Sequence, residues 1–409
     1  MITVAEAHER LVGAFSALEA ESVSVADASG RVLAEPVVAR LSQPPADLSA
    51  MDGYAVRTAD AASVPADLRV VGTAPAGGAY AGTLQPGEAV RIFTGGPVPA
   101  GADAIVIQED TRRSGDVVTI LEAPRSGRHI RRAGLDFTRG STAFEAGRRL
   151  TPRDIALIAG MNVPWLAVHR RPRIALLATG DELVLPGEPV GANQIVASSL
   201  WGLAALVRQW GGEPVSLGIA RDDVGTIARG MRMATHADLL VTLGGASVGD
   251  HDLIQKALAA ESFQLDFWRI AMRPGKPLMF AERKGTDGAT ARVLGLPGNP
   301  VSSLVCALLF LKPVIERMGG LTGAMIVREH AELAIDIAAN DTREDYVRAT
   351  LERGGGGKLR VRPFPVQDSS MMSVLAASNA LMVRPAHDPA RKAGDLIDVI
   401  PLPQETIAL

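Results

Sequence analysis

The sequence predicts a multidomain α/β plus β protein: a central, mostly parallel α/β domain, a small inserted β domain, an N-terminal segment and a C-terminal β domain. Three observations predict it. A chain of 409 residues exceeds what one hydrophobic core ordinarily organises. Between residues 173 and 320 short apolar runs alternate with helical periods, which is the grammar of a parallel sheet covered on both faces. On either side, at 48–136 and 324–409, short β-like runs recur between Gly and Pro breaks without a long helical period.

The chain opens with Thr3 and Glu6 at capping-box spacing, followed to residue 18 by apolar residues at helical spacing. Alternation over 22–40 gives a strand, a turn at Ser29-Gly30 and another extended piece, and Pro44-Pro45 marks a boundary. Thr151 as N-cap and Pro152 at the first helical position start a second helix. This helix is expected to pack beside the N-terminal one, so that 1–47 and 137–170 form one unit from which 48–136 projects. Within 171–323 strands are expected at 173–179, 214–220, 237–243, 277–282 and 292–296, with helices near 198–210, 223–236, 251–260 and 300–317. Residues 324–409 read as a compact β-barrel or sandwich, with the glycine run at 354–357 as a hairpin tip.

Composition narrows the function classes. The longest apolar run, 304–311, is too short to span a bilayer, and the first twenty residues lack a signal peptide's basic start and apolar stretch. A soluble, cytoplasmic protein with no membrane partner is expected. The single cysteine, Cys306, sits inside that apolar run, which excludes an internal disulfide and reads as a small buried hydrophobe. A net charge of −3 without long basic runs argues against nucleic acid, and the patch at Arg125, Arg128, Arg131 and Arg132 reads as a solvated face.

In open α/β sheets ligands bind beyond the carboxyl ends of the strands. Five loops there carry chemistry. After 237–243 come Gly244, Gly245 and Gly249, whose loop offers backbone N–H groups to an anion, with Ser247 as a hydroxyl donor and Asp250 and Asp252 as carboxylates. One such loop is ordinarily just a turn; five at one edge are harder to dismiss. Arg273 and Lys276, held between prolines, supply positive charge for an oxyanion. Asn299 can cap the helix beginning at Pro300, whose first turn with Ser302 makes an anion seat beside Pro297. Glu182, Asp222 and Asp252 are oxygen donors suited to Mg²⁺, although each serves equally well as a helix cap. His251 lies between two aspartates without an identifiable partner, and the other histidines lack metal-ligand spacing. The sheet edge therefore reads as a seat for a nucleotide-like or phosphorylated ligand with a metal.

Taken together the motifs resemble the molybdopterin molybdenumtransferase family, the MoeA and gephyrin E-domain group. They are residues 49–56 around Met51-Asp52-Gly53-Tyr54, the 91–99 run with Thr94-Gly95-Gly96-Pro97, the Arg-x-x-Gly-x-Asp run from Arg131 to Asp136, Thr179-Gly180-Asp181-Glu182-Leu183, the 244–252 loop, Pro274-Gly275-Lys276-Pro277 and Leu296-Pro297-Gly298-Asn299-Pro300. The resemblance spans essentially the whole chain. It implies four domains: an elongated linker (1–47 and 137–170), the inserted β domain (48–136), a molybdopterin-binding α/β domain (171–323) and a C-terminal β-barrel (324–409). It also implies a homodimer with the active site between subunits. The implied activity is insertion of molybdenum from molybdate into adenylated molybdopterin with release of AMP, aided by Mg²⁺ or another divalent cation. By the same resemblance Asp52, Thr94, Asp136 and Lys276 are catalytic. Gly244, Gly245, Ser247, Gly249, Asp250, Arg269, Arg273, Pro297, Asn299, Ser302, Arg348 and Ser369 bind substrate, and Glu182, Asp222 and Asp252 hold the metal. Two departures stand out: arginine at 269 and 273 where relatives often have lysine, and Ile195-Val196-Ala197-Ser198-Ser199 in place of an Ile-Tyr-Asp-Ser-Asn run. A non-catalytic dimeric scaffold, or a molybdopterin adenylyltransferase-like enzyme sharing only the α/β domain, are the competing readings.

Overall fold

A computed structural model describes residues 1–244, 253–285, 288–322, 326–354 and 357–402. Helix α1 (Val4–Gly13) is capped as expected, with the Thr3 hydroxyl accepting from the Glu6 amide at 3.1 Å. Its buried Ala7 and Leu11, with Phe15, join the core of the central domain, and Ile2 bridges to Ile270. The expected packing of the second helix beside α1 does not hold. An amphipathic stripe specifies that a helix is buried, not which surface covers it.

The segments flanking the insertion pair with each other instead. Strand β1 (Ala20–Ser24) later pairs antiparallel with β12 (Trp165–His169), and β2 (Val37–Val38) with β11 (Thr142–Phe144). Between them the insertion is entered by β3 (Leu48–Ser49) and left by β10 (Ile130–Arg131), which pair as its stem. The strands inside are β4 (Gly53–Val56), β5 (Ala66–Ala74), β6 (Glu88–Ile92), β7 (Ala104–Ile107), β8 (Thr111–Ser114) and β9 (Val117–Ile120), in the order β7-β4-β6-β5-β9-β8. All four β4 residues are buried, and a Cβ at Gly53 would lie 1.9 Å from the Val106 carbonyl oxygen, so the pairing admits only glycine there. Helix α2 (Pro152–Gly160) begins with a reciprocal capping box between Thr151 and Asp154, and its Ile158 packs with Leu33, Val37 and Val168.

The central sheet is built from β13 (Arg173–Thr179) onward. Two short strands, β14 (Leu183–Val184) and β15 (Ile195–Val196), precede α3 (Ser198–Gln209), and then come β16 (Glu213–Ala220), α4 (Val224–Met233), β17 (Leu239–Leu243), α5 (Leu253–Ala260), β18 (Gln264–Trp268), β19 (Met272–Arg273), β20 (Met279–Lys284) and β21 (Thr290–Leu296). The order is β16-β13-β17-β21-β20-β18, with β16 to β21 parallel and β20 and β18 antiparallel. Alternate residues of the strands feed two apolar layers: Leu176, Val241 and Leu294 on the α1 and α3 side, Ala175, Leu177 and Leu240 on the α4 and α5 side. The helix expected at 300–317 forms as α6 (Pro300–Cys306), a π-helical turn at 307–311 and α7 (Lys312–Met318). Pro313 has no N–H for the Leu309 carbonyl and its ring crowds the preceding turn, so the helix widens there rather than stopping.

The C-terminal strands β22 (Glu329–Leu333), β23 (Glu344–Arg353), β24 (Leu359–Pro363), β25 (Ala380–Arg384) and β26 (Leu396–Pro401) close into a five-stranded barrel through the additional β23–β25 pairing. Helix α8 (Met372–Ala377) precedes β25. Strand β19 pairs in parallel with β23 and so straps the barrel to the central domain. Strands β23 and β24 pair as an antiparallel hairpin, closed by the Gly354 amide on the Lys358 carbonyl at 2.8 Å.

Candidate active site

Strand β13 has β16, the next strand of the sheet in sequence, on one side and β17 on the other, so the strand order reverses across it. Such a switch point leaves a crevice beyond the carboxyl ends. A cavity of about 1050 Å³ lies there, lined by Thr179 and Gly180 from β13, Gly244 after β17, and Pro297, Asn299 and Ser302 from the junction of β21 with α6. Gly244 has φ +97°, and a Cβ on it would lie 2.7 Å from the Thr179 carbonyl oxygen, so the two strand ends approach closely only because the residue is glycine.

Both described acids expected to hold a metal line this cavity, Glu182 and Asp222. The carboxylate of Glu182 folds over Gly180, where a Cβ would come within 2.4 Å of its Oε2. Asp222 and Asp223 divide two roles that the sequence left open. Asp223 caps α4, accepting from the Thr226 amide at 2.8 Å, and its contacts with Thr226 hold its carboxyl below the ordinary range. Asp222 makes no such cap and stays exposed at the cavity. Gly245, Ser247, Gly249, Asp250, His251 and Asp252 lie outside the described residues.

Asn299 does not cap α6 as expected. Its side-chain amide donates to the Ser369 hydroxyl at 3.0 Å, and the Val301 amide donates to the Ser369 carbonyl at 3.2 Å, so a barrel loop docks on the start of the helix. Ser302 is 4% exposed and faces the cavity. Arg348 holds the docked loop from behind. It is fully buried, donates through Nε to Gln367 Oε1 at 3.0 Å and through Nη1 to the Asp368 carbonyl at 2.6 Å, and burial pushes its guanidinium below the ordinary value. Asp368 in turn accepts from the Ser370 amide and hydroxyl at 2.8 and 2.6 Å, and Ser370 and Met372 complete the cavity rim. Arg348 therefore acts on the cavity through this loop. Gln367, Asp368, Ser370 and Met372 were not anticipated, although Asp-Ser-Ser at 368–370 is a turn signature that marks an ordered loop.

Arg273 also departs from its expected part. Its guanidinium is clasped by Asp345, with Nε and Nη2 bonds of 2.6 and 2.5 Å, and reaches Asp341 and Asn340 at 3.3 Å. Its charge is thereby matched by the barrel instead of standing free for an oxyanion. Lys276, on the same loop, is half-buried and has no ion-pair partner among the described residues. Gly275 beside it has φ +109°, and a Cβ there would lie 2.3 Å from the Cys306 sulfur, so the loop rests directly on α6. Cys306 is buried, which pushes its thiol up and leaves it inert, as expected. At the same sheet edge Arg269 adopts a strained φ of +133° with its guanidinium 4.1 Å from the Trp268 ring centroid, and among the described residues neither its buried Nε nor the buried Trp268 indole nitrogen has a hydrogen-bond partner.

Asp52 and Thr94 come together although 42 residues apart: the carboxylate accepts from the Thr94 amide at 2.7 Å and its hydroxyl at 2.8 Å, which holds the acid below its usual range. Asp136 sits exposed beside the stem, its amide bonded to the Gln43 carbonyl at 2.9 Å. No residue of 48–136 lines the strand-end cavity of the same chain.

The MoeA N-terminal region (domains I and II) matches residues 2–161, a probable molybdopterin binding domain matches 175–317, and the MoeA C-terminal region (domain IV) matches 330–402. A molybdopterin molybdenumtransferase from Nostoc is 38% identical over 395 residues, covering 94% of this chain and 89% of the relative. The chain belongs to the molybdopterin molybdenumtransferase family. A second relative, molybdopterin molybdenumtransferase 2 of Mycobacterium tuberculosis, is 36% identical over 386 residues and covers 92% of this chain and 93% of its own. The molybdopterin biosynthesis moeA protein of Pyrococcus horikoshii superposes with a TM-score of 0.82 at 27% identity, over 98% of this chain and 99% of that one. The expected family and fold class hold, including the mostly parallel sheet and the closed barrel. Within this family framework the altered run at 195–199 proves to be cavity wall, with Ile195, Val196 and Ala197 apolar or small and Ser198 and Ser199 opening α3. Among the described residues no cluster of three metal-binding side chains forms. Two carboxylates suffice for Mg²⁺, which ordinarily keeps waters and substrate phosphate oxygens in its shell, so Glu182 and Asp222 fit that ion. No helix among the described residues is long and apolar enough to cross a membrane.

Proposed function

We propose that this chain catalyses insertion of molybdenum from molybdate into adenylated molybdopterin, releasing AMP. The observation that carries the reading is the switch-point cavity, whose lining brings two exposed carboxylates together with the buried Ser302. The Ser302 hydroxyl suits a phosphate oxygen, and hard carboxylates suit a divalent cation bridging to it. Glu182 and Asp222, with Asp252, are the residues that would hold Mg²⁺, which when bound neutralises charge on the phosphoanhydride. Lys276, free of an ion-pair partner among the described residues, supplies a cation for molybdate or the phosphates. Positioning and charge neutralisation suffice for anhydride cleavage, and no covalent protein nucleophile is called for.

The Asp52–Thr94 pair and Asp136 complete the site from a second copy of the chain. This explains why three exposed or half-buried polar residues of the inserted domain stand in turns with no ligand of their own near the strand-end cavity. The test is incubation of the purified chain with adenylated molybdopterin, molybdate and Mg²⁺. AMP release that requires molybdate, together with formation of molybdenum cofactor, is expected. AMP transfer from ATP to molybdopterin, or no turnover by an intact dimer, would replace this reading with one of its two competitors.

A further inference from the structure

A second cavity, of about 300 Å³, opens at the amino-terminal end of the same sheet and shares no lining residue with the first. Asp238 lines one and Gly244 the other, so roughly 20 Å of strand separates them at about 3.3 Å per residue. The floor is apolar: Leu240 of β17 and Val293 of β21, register partners, flanked by the rings of Phe15 and Phe263. Two arginines enter it from adjacent strands. Arg292 lies opposite Glu282 in the β20–β21 ladder and so projects from the Glu282 face, whereas Arg283 projects from the other. Each guanidinium is laid against a ring, Arg283 at 4.8 Å from the Phe263 centroid and Arg292 at 4.8 Å from that of Phe15.

These arginines are held by one edge only. Arg283 donates through Nη1 to the Glu261 carbonyl at 3.1 Å and faces the Glu261 carboxylate at 3.7 Å. Arg292 donates through Nε to Glu282 at 2.8 Å. A guanidinium has five N–H donors, and among the described residues the remaining ones of both side chains have no hydrogen-bond partner. The one acid in the wall, Asp238, is already spent: Arg170 clasps both its oxygens at 2.7 Å and the Arg173 amide adds a third bond at 2.7 Å. Ring stacking holds the two guanidinium groups while leaving N–H donors of both unspent beside an apolar floor, features that suit a carboxylate or phosphate on a flat hydrophobic body.

We propose that this cavity is a second binding site, selective for a small aromatic anion whose charged group meets Arg283 and Arg292 and whose ring lies between Phe15 and Phe263. Calorimetric titration of the full chain with benzoate and with phenyl phosphate tests it and separates the two head groups. At least one of them is expected to saturate a single site per chain. Benzyl alcohol, which lacks the charge, and inorganic phosphate, which lacks the ring, should each bind at least about tenfold more weakly. Arg283→Met with Arg292→Met should weaken the anion at least about tenfold. Thr235→Trp, which fills the cavity from its exposed rim and leaves both arginines in place, should abolish binding with an unchanged circular dichroism spectrum. No saturation by either anion at about 10 mM, equal binding of inorganic phosphate or benzyl alcohol, or undiminished binding in both variants would overturn the assignment.

Discussion

Replacing Arg348 with methionine tests how the barrel shapes the strand-end cavity. Two charge-assisted hydrogen bonds disappear, to Gln367 Oε1 and to the Asp368 carbonyl. Bonds to a charged group contribute about 1.5–3 kcal/mol each. Part of that is offset because the buried guanidinium no longer has to be desolvated, and methionine fills the slot. A net loss of about 2–3 kcal/mol is therefore expected, confined to the 367–370 loop, because Gln367 keeps its bond from the residue 348 amide at 2.9 Å. At 1.4 kcal/mol per tenfold, amide exchange across that loop should quicken about 30- to 150-fold by mass spectrometry. Since Ser369 leaves Asn299 when the loop opens, the KM for adenylated molybdopterin should rise in the same variant while the barrel strands stay protected. Unchanged exchange at 367–370, or a barrel that loosens as a whole, would refute the argument that Arg348 acts through the loop.

Three further outcomes follow from the same geometry. Gly275→Ala should destabilise the central domain by about 2–4 kcal/mol, from left-handed backbone strain plus overpacking against Cys306; Cys306→Ala should rescue the overpacking share, and strictly additive effects in a denaturation cycle would contradict the contact. The Asp52 carboxyl, depressed by Thr94, should titrate below its ordinary 3.8 in carbon-detected NMR, and Thr94→Val should raise it. With the folded value depressed, the Asp52–Thr94 contact adds stability above the unfolded value and loses it only as pH falls through the folded one, so activity near neutrality should show no Asp52 titration. Asp222→Asn should raise the Mg²⁺ concentration needed for half-maximal AMP release. Asp223→Asn, one position along, should leave that requirement unchanged, since asparagine can still cap α4.

The parallel strands were legible because each is an apolar run closed by glycine or an acidic turn, as at 173–179 and 239–243. Strand β18 was not, since Gln264, Leu265 and Asp266 are exposed at an edge where no continuous apolar run is needed. Local signals were read correctly where the partner is near in sequence, as with Thr3 and Glu6 or Thr151 and Asp154. They failed where the partner is remote: Asn299 looked like a cap until Ser369 claimed its amide, and Arg273 looked free until Asp345 closed on it. Type alone did not separate Asp222 from Asp223, because one aspartate at a helix start must cap and either chemistry suits the residue. The second cavity was invisible for the same reason, its four aromatic and cationic side chains being spread from Phe15 to Arg292.

The central claim is that one functional site draws Asp52 from one copy of the chain and Glu182 from another. Asp52→Ala and Glu182→Gln are each expected to be inactive alone. When the two are co-expressed and random dimers form, half the dimers pair one of each, and one of their two sites has both native residues. About a quarter of wild-type molybdate-dependent AMP release should then return. A mixture that verifiably contains mixed dimers and stays inactive would contradict the shared site.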